Sequence, residues 1–232
     1  RSIRCPQKQC SQTPQQRTLM DLFPIGHATH PHWEMAADLV LAQLRACMRA
    51  GVFAARPSLG LVYITDHYAE NAQAMLDYLV QELPEVEHWS GTVGVGICVN
   101  SVEYFDEPAM AVMLCDIDPR HFRVFSGEAP LGQALLQGFN PHTALVHADP
   151  NTPELSELVQ DLADNTDSGF VFGGLTSSRS DNAQFALSVD KTQAAAKRNK
   201  GVYAGSLSGV AFSAEVSLLT RVTQGCVPFS EV

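Results

Sequence analysis

The chain has 232 residues, of which 45% are hydrophobic and 17% charged, a composition typical of a folded globular protein rather than a disordered one. Lysine and arginine total 15 against 25 aspartate and glutamate residues. The resulting net charge of −10 argues against binding to nucleic acid or to anionic lipid. No apolar run approaches the length of about eighteen residues that a membrane-spanning helix needs.

The first 19 residues differ from the rest of the chain. They carry four basic side chains and no acidic one, and they are rich in Gln, Ser, Thr and Pro. They lack the apolar core of a signal peptide, so nothing in them directs secretion. We interpret residues 1–19 as a non-native or disordered basic extension and Met20 as the start of a folded domain over 20–232. A short natural basic tail is the alternative.

Helical spacing of apolar residues over 33–51 predicts an amphipathic helix. A short, largely β-branched run at 60–65 predicts a buried strand. A second amphipathic helix follows over 72–83 and ends at Pro84. The next strand, predicted at 91–99, is unusually rich in glycine. Two further strands are predicted at 109–117 and 122–125.

The same order of elements then recurs. The apolar run 144–148 with Asp149 after it resembles the run 61–65 with Asp66 after it. A helix is predicted over 155–162 and a second glycine-bearing strand over 169–174. A long polar connection over 176–204 carries a cluster of basic residues, and a helix or a mobile flap is expected in part of it. The last two strands are predicted at 207–212 and 216–222.

This recurrence predicts two copies of a β-α-β-β-β unit, at about 58–127 and 142–226. The alternative is that two similar α/β stretches arose by chance. Each unit would bury its helix against one face of a mixed sheet. The predicted fold class is therefore α/β (α+β), with mixed sheets, helices packed outside them, and a layered α/β/β/α arrangement.

Three glycine-bearing strand ends, at 94–100, 172–178 and 224–228, point to a binding surface. Glycine weakens a strand and marks a bulge or the close approach of a backbone or a ligand. We predict that the three ends converge on one pocket for a small molecule. Tight packing of one sheet on the other is the alternative. The predicted ligand-binding residues are Gly94, Gly96, Cys98, Asn100, Gly173, Gly174, Thr176, Gln224, Gly225 and Cys226.

The motifs do not predict catalysis, a nucleotide or a metal. The glycines match neither the dinucleotide fingerprint nor the phosphate-binding loop. A thiol enzyme would use Cys98 or Cys226, with His147 as the best partner for the thiol, but buried inert cysteines are commoner. The clustered His27, His30 and His32 lack the carboxylates or cysteines that would complete a metal site. The six cysteines form no CxxC pair, which argues against a zinc ribbon or a thioredoxin motif. Scattered cysteines in an acidic chain without a signal peptide predict reduced thiols in a cytoplasm, and a disulfide between two distant cysteines is the alternative.

Four segments together carry a family resemblance. The order of 91–98, 169–174, 205–212 and the ending Gln-Gly-Cys-Val-Pro at 224–228 resembles the FIST N-terminal domain. The opening helix before the strand at 61–64 fits as well, so that the likeness covers about residues 22–229. The Gln-Gly-Cys-x-Pro ending is its most specific element.

The resemblance implies a cytoplasmic, non-catalytic sensory domain of bacterial signal transduction that binds a small ligand, with amino acids or other metabolites as candidates. It implies a signalling partner such as a histidine kinase. It also implies a FIST C-terminal domain after the Gln-Gly-Cys element, and we expect that domain to be absent from this chain or to have been removed. No cofactor is predicted. Some relatives bind haem, sense nitric oxide and regulate a histidine kinase or a cyclic-di-GMP enzyme, so a haem-binding sensor is the alternative, although no histidine here matches a haem ligand of those relatives. A cysteine-dependent enzyme is the second alternative.

Overall fold

The computed structural model describes residues 23–50, 53, 56–136, 138–188 and 201–220. Among these residues no helix combines the length and the apolar character needed to cross a membrane. The helices are α1 (Trp33–Arg49), α2 (Ala72–Glu82), α3 (Leu131–Leu136) and α4 (Leu155–Asp164). The strands are β1 (Ile25–Thr29), β2 (Leu59–Thr65), β3 (His88–Gly94), β4 (Gly96–Val99), β5 (Val102–Phe105), β6 (Ala109–Cys115), β7 (Phe122–Phe125), β8 (Thr143–Ala148), β9 (Phe170–Leu175), β10 (Gln184–Ser188), β11 (Val202–Tyr203) and β12 (Leu207–Phe212).

These strands form two mixed sheets and a separate hairpin. The first sheet has six strands in the order β1-β6-β2-β3-β10-β11, and the second has four in the order β7-β12-β8-β9. In each sheet one pair is parallel, β2 with β3 and β8 with β9. Strands β4 and β5 pair only with each other. A parallel pair needs a crossover connection, which α2 and α4 supply.

Three clusters of buried apolar side chains define the layers. The first lies between the six-stranded sheet and helices α1 and α2, and includes Trp89 of β3. The second lies between the four-stranded sheet and helices α3 and α4, and includes Val146 and Leu162. The third lies between the two sheets and includes Leu61 and Phe212. The layers therefore follow the order α/β/β/α, and the predicted mixed fold class is confirmed.

Strand β2 shows why the apolar runs are the clearest signal in this sequence. All of its residues are buried except Tyr63, which is partly exposed. Strands covered on both faces have nearly continuous apolar sequences, because neither face meets water. Helices α1 and α2 cover one face of the six-stranded sheet and the four-stranded sheet covers part of the other.

The two sheets share one topology. In chain order β1, β2, β3 and β6 are arranged as β1-β6-β2-β3, and β7, β8, β9 and β12 are arranged in the same way as β7-β12-β8-β9. This structural unit differs from the predicted copies at 58–127 and 142–226. Strand β7 pairs with β12, so it begins the second unit rather than ending the first. Duplication of the sequence stays a prediction, and residues 1–22 and 221–232 lie outside the described residues.

Two predicted elements differ from the structure for local reasons. The strand predicted at 91–99 is divided into β3 and β4, because the chain leaves the sheet between Gly94 and Gly96. The polar connection at 176–204 contains β10, which pairs with β3, and β11. Its residues 189–200, with the whole basic cluster, lie outside the described residues. The described part of the last predicted strand, 216–220, is not a strand.

Candidate functional site

The hairpin formed by β4 and β5 covers part of the inner face of the six-stranded sheet, the face turned toward the four-stranded sheet. It contacts β2 and β6. A Cβ atom on Gly96 would lie 3.0 Å from the carbonyl oxygen of Tyr104 and 3.2 Å from the ring of Phe105. Glycine at this position therefore lets the two strands of the hairpin approach each other closely. We call the hairpin, residues 96–105, the lid.

Side-chain hydrogen bonds attach the lid to the sheet. Nδ1 of His27 in β1 lies 2.7 Å from the hydroxyl oxygen of Tyr104 in the lid. Just beyond the lid, the Thr65 hydroxyl donates to the carbonyl oxygen of Glu107 over 2.8 Å. No β-ladder joins the lid to either sheet within the described residues. A few side-chain hydrogen bonds are easier to break than a β-ladder. The lid is therefore held to the sheet less firmly than the strands of the sheet are held to one another.

A cavity of about 380 Å³ lies between the lid and the sheet. This volume lies within the range of roughly 300–1,000 Å³ that small-molecule sites occupy. Strand β4 forms the wall on the lid side, and Ile25, Tyr63 and residues 111–113 form the floor. None of the lining residues is Asp, Glu, Lys, Arg or His, and most are aliphatic. The cavity can hold a small molecule with little polar surface.

Tyr63 connects the cavity floor to the second sheet. Its hydroxyl oxygen lies 3.1 Å from Nε2 of His147 in β8, and the two rings meet edge to face with centroids 5.6 Å apart. His147 is 3% exposed, and its Nδ1 has no hydrogen-bond partner. Burial lowers the pKa of His147 to about 4 and raises the pKa of Tyr63 to about 12. Both side chains are therefore neutral at pH 7.

Arg179 makes a second connection between the two units, at the end of the lid. It lies in the loop after β9 and donates from Nε and Nη2 to the two carboxylate oxygens of Asp66, each over 2.8 Å. Its guanidinium also donates to Asp106, the residue directly after β5. Hydrogen bonding to Arg179 lowers the pKa of Asp66 to about 2. The loop of the second unit thereby holds the end of the lid against the end of β2.

The predicted site residues fall in three places. Gly96 and Cys98 line the cavity, Gly94 ends β3 directly before it, and Asn100 lies in the lid turn with a φ of 50°. Gly173, Gly174 and Thr176 do not line the cavity. The missing side chain of Gly173 makes room for the carbonyl oxygen of Val146, and Thr176 is buried and bonded to the carbonyl of Ala148. Gln224, Gly225 and Cys226 lie outside the described residues.

The residues on the floor of the cavity were not predicted from the sequence. Tyr63, Ala111 and Met113 sit in apolar strands and resemble ordinary core positions. One signal was present, since Tyr63 is a large polar-tipped residue in the middle of a continuous apolar run. Buried tyrosines usually find a partner for the hydroxyl group, which marks this position for closer inspection.

Of the two cysteines considered as thiol partners of His147, Cys226 lies outside the described residues. His147 is bonded to Tyr63 rather than to Cys98, which is exposed in the lid. Cys115 is buried in β6, and burial raises its pKa to about 12. In the part of the chain that the structure describes, no group of three or more His, Cys, Asp or Glu side chains is placed to hold a metal ion.

Thiol labelling tests the placement of the lid. We expect iodoacetamide at pH 7.5 to modify Cys98 at least tenfold faster than Cys115, because Cys98 is exposed whereas Cys115 is buried with a raised thiol pKa. Timed quenching followed by peptide mass spectrometry gives both rates, and labelling in concentrated urea is the control in which they converge. Similar rates in the native protein would show that Cys98 is covered.

The profile of the FIST N domain matches residues 58–232. The chain belongs to the FIST family. The suspected resemblance is thus confirmed, and the FIST domain is a sensory domain of signal transduction. The matched range contains the lid, Tyr63, His147 and Arg179, whereas β1 and α1 precede it. Comparison with curated proteins and with solved structures gave no match.

Proposed function

We propose that this FIST domain senses a small molecule bound in the cavity beneath the lid, as the ligand-binding part of a bacterial, cytoplasmic signalling protein. The observation that supports this function is a cavity of about 380 Å³ bounded by a hairpin that forms no β-ladder with either sheet among the described residues. A ligand that favours one lid position shifts the population of conformations that a partner meets. The proposed partner is a histidine kinase or a cyclic-di-GMP enzyme.

The chemistry of the cavity supports binding rather than catalysis. Tyr63 stays protonated far above neutral pH, because burial raises its pKa to about 12. His147, the group next to its hydroxyl, is buried and has a pKa of about 4. A general base works best with a pKa near the operating pH, and neither group meets that condition. Among the described residues, His147 makes its hydrogen bond to Tyr63 and not to the exposed thiol of Cys98.

A substitution that fills the cavity tests the site. Ala111 lies on the floor between His27 and Tyr63 in the strand register, and it is 7% exposed. Wild-type protein with a ligand at one hundred times its Kd should gain about 2.7 kcal/mol of stability. We expect thermal-shift measurements with a panel of amino acids and other metabolites to reveal such a ligand. Ala111→Phe should abolish the shift, because the ring would occupy the space of the ligand.

The matched control is Ala46→Phe, which adds the same ring at an exposed position of α1 away from the sheet. This variant should keep the full thermal shift. If no compound in the panel stabilises the wild-type protein at millimolar concentration, the sensing function is wrong. If a ligand stabilises Ala111→Phe as strongly as the wild type, the function stands but the cavity is not its site.

A further inference from the structure

The lining of the cavity beneath the lid favours uncharged ligands over charged ones. This inference rests on the proposed function. We propose that the ligand is an uncharged, largely apolar molecule with one hydroxyl or carbonyl group that meets the hydroxyl of Tyr63. Amino acids, the candidates suggested by the family resemblance, carry two opposite charges and belong to a different chemical class. The walls of the cavity, its polar groups and the surrounding ion pairs each support this class.

The walls favour uncharged groups. Ile25, Ile97 and Val99 contribute aliphatic surface, Met113 a thioether, and Ala111 a methyl group. An ionised carboxylate or ammonium group placed against such surface loses its hydration without gaining a partner, which costs several kcal/mol. A zwitterion has two ionised groups and would lose hydration at both of them. An apolar ligand gains from the same surface, because it leaves water for an apolar environment.

The cation at the end of the lid is already paired. Arg179 donates to Asp66 and Asp106 there. None of these three charged residues lines the cavity. The guanidinium of Arg179 is therefore not open to the carboxylate of an amino acid in the cavity.

Tyr63 supplies the hydrogen bond for a single polar group. Its hydroxyl has one proton and two lone pairs, and the contact with Nε2 of His147 uses only one of these positions. Nδ1 of His147 has no partner that would fix the tautomer of the neutral imidazole. The hydroxyl of Tyr63 can thus donate to a ligand while accepting from His147, or accept from a ligand while donating to His147. A hydroxyl group suits both arrangements and a carbonyl suits the first.

The same contact gives the ligand a route to the second sheet. Tyr63 belongs to β2 of the six-stranded sheet and His147 to β8 of the four-stranded sheet. The third apolar cluster also joins these sheets, but Tyr63 is the member of it that lines the cavity and bonds to His147. A ligand bonded to Tyr63 therefore acts directly on a contact between the two units.

Three probe molecules that share a benzene ring distinguish the effect of charged groups on binding from the effect of a hydroxyl group. They are 4-methylphenol, toluene and tyrosine. Isothermal titration calorimetry of the whole chain should detect 4-methylphenol, give an affinity about fivefold lower for toluene, and detect no binding of tyrosine. The fivefold ratio corresponds to one hydrogen bond of about 1 kcal/mol. In Tyr63→Phe the affinity for 4-methylphenol should fall to that for toluene, while the affinity for toluene stays unchanged. Unchanged circular dichroism and an unchanged affinity for toluene show that the variant is folded.

Each contrary result has a distinct meaning. If tyrosine binds at least as tightly as 4-methylphenol and Ala111→Phe abolishes that binding, the cavity is a binding site but the ligand class is wrong. If neither 4-methylphenol nor toluene binds to the wild type, the ligand class is wrong as well. If 4-methylphenol binds equally to the wild type and Ala111→Phe, the binding site itself is misplaced. If Tyr63→Phe binds 4-methylphenol as the wild type does, the role of the tyrosine hydroxyl is refuted.

Discussion

Replacing Gly91 with alanine should destabilise the native fold by about 4 kcal/mol or more, because two costs add at this position. A Cβ atom on Gly91 would lie 1.7 Å from the carbonyl oxygen of Val62 in the neighbouring strand. Its φ of +152° is also one that residues with a side chain rarely adopt. Both strands lie in the interior of the six-stranded sheet, so the backbone cannot move aside without disturbing the ladder.

The second unit repeats this contact and provides a matched pair of variants. A Cβ atom on Gly173 would lie 1.9 Å from the carbonyl oxygen of Val146, whereas one on the adjacent Gly174 would meet no atom within 4 Å. Urea unfolding should therefore show a large loss of stability for Gly91→Ala and Gly173→Ala, and little change for Gly174→Ala. Since typical domains have a stability of about 5–15 kcal/mol, a loss of this size is a large share of the total, and the first two variants should unfold at much lower urea concentrations than the wild type. If Gly91→Ala and Gly173→Ala both unfolded at the urea concentration of the wild type, the close approach of the neighbouring carbonyl oxygens would be contradicted.

These glycines show where reasoning from the sequence reaches its limit. A glycine inside a strand indicates that something approaches the backbone closely, but a ligand and a neighbouring strand require the same missing Cβ atom. At Gly91 and Gly173 the neighbour is a backbone carbonyl group, and at Gly209 it is the carbonyl oxygen of Leu145, at 1.9 Å. At Gly96, which lines the cavity, the nearest atom to such a Cβ is again a carbonyl oxygen, that of Tyr104 across the hairpin, at 3.0 Å. Sequence alone cannot distinguish these cases, because the neighbour belongs to another part of the chain.

The elements that could be predicted are those in which the pattern of apolar residues itself indicates which side chains are buried. Strands β2, β8 and β12 are apolar runs, and helices α1, α2 and α4 have apolar stripes at helical spacing. Strand β10 was not predicted because its apolar run is only three residues long, at 185–187, and stands inside the long polar connection. Its first residue, Gln184, is buried and accepts a hydrogen bond from the hydroxyl of Ser208 in the other sheet. A pairing of this kind depends on residues that are distant in sequence.

The candidate site could be predicted only in part for a related reason. Gly96 and Cys98 were identified because glycine and cysteine stand out in a strand. Tyr63, Ala111 and Met113 were not, because alternation along β2 and β6 indicates which face a residue occupies but not what covers that face. Near one end of the face the cover is the four-stranded sheet, and near the other it is the lid. The cavity exists because two different elements share one face of the sheet.

Acidification from pH 7 to pH 4 should remove about 3 kcal/mol of folding stability through His147 alone. Its pKa is about 4 in the folded protein, because burial disfavours the charged form, and 6.5 is the ordinary value. Between these values the unfolded chain binds a proton that the native protein does not, so stability falls as the pH falls. The contribution is complete above pH 6.5 and lost below pH 4. Asp66, with a pKa lowered to about 2 by Arg179, loses its contribution only below pH 4.

Urea unfolding at intervals between pH 7 and pH 4 should show this slope in the wild type and a much smaller one in His147→Gln. Glutamine can still meet the hydroxyl of Tyr63 but cannot take up a proton in this range. His88 is the other described histidine whose pKa burial lowers, so a smaller slope of the same sign should remain in this variant. His142→Gln, at an exposed position, is the control that should keep the wild-type slope. An unchanged slope in His147→Gln would mean that His147 is hydrated in the native protein, and the contact between the two sheets at Tyr63 would then be open to water.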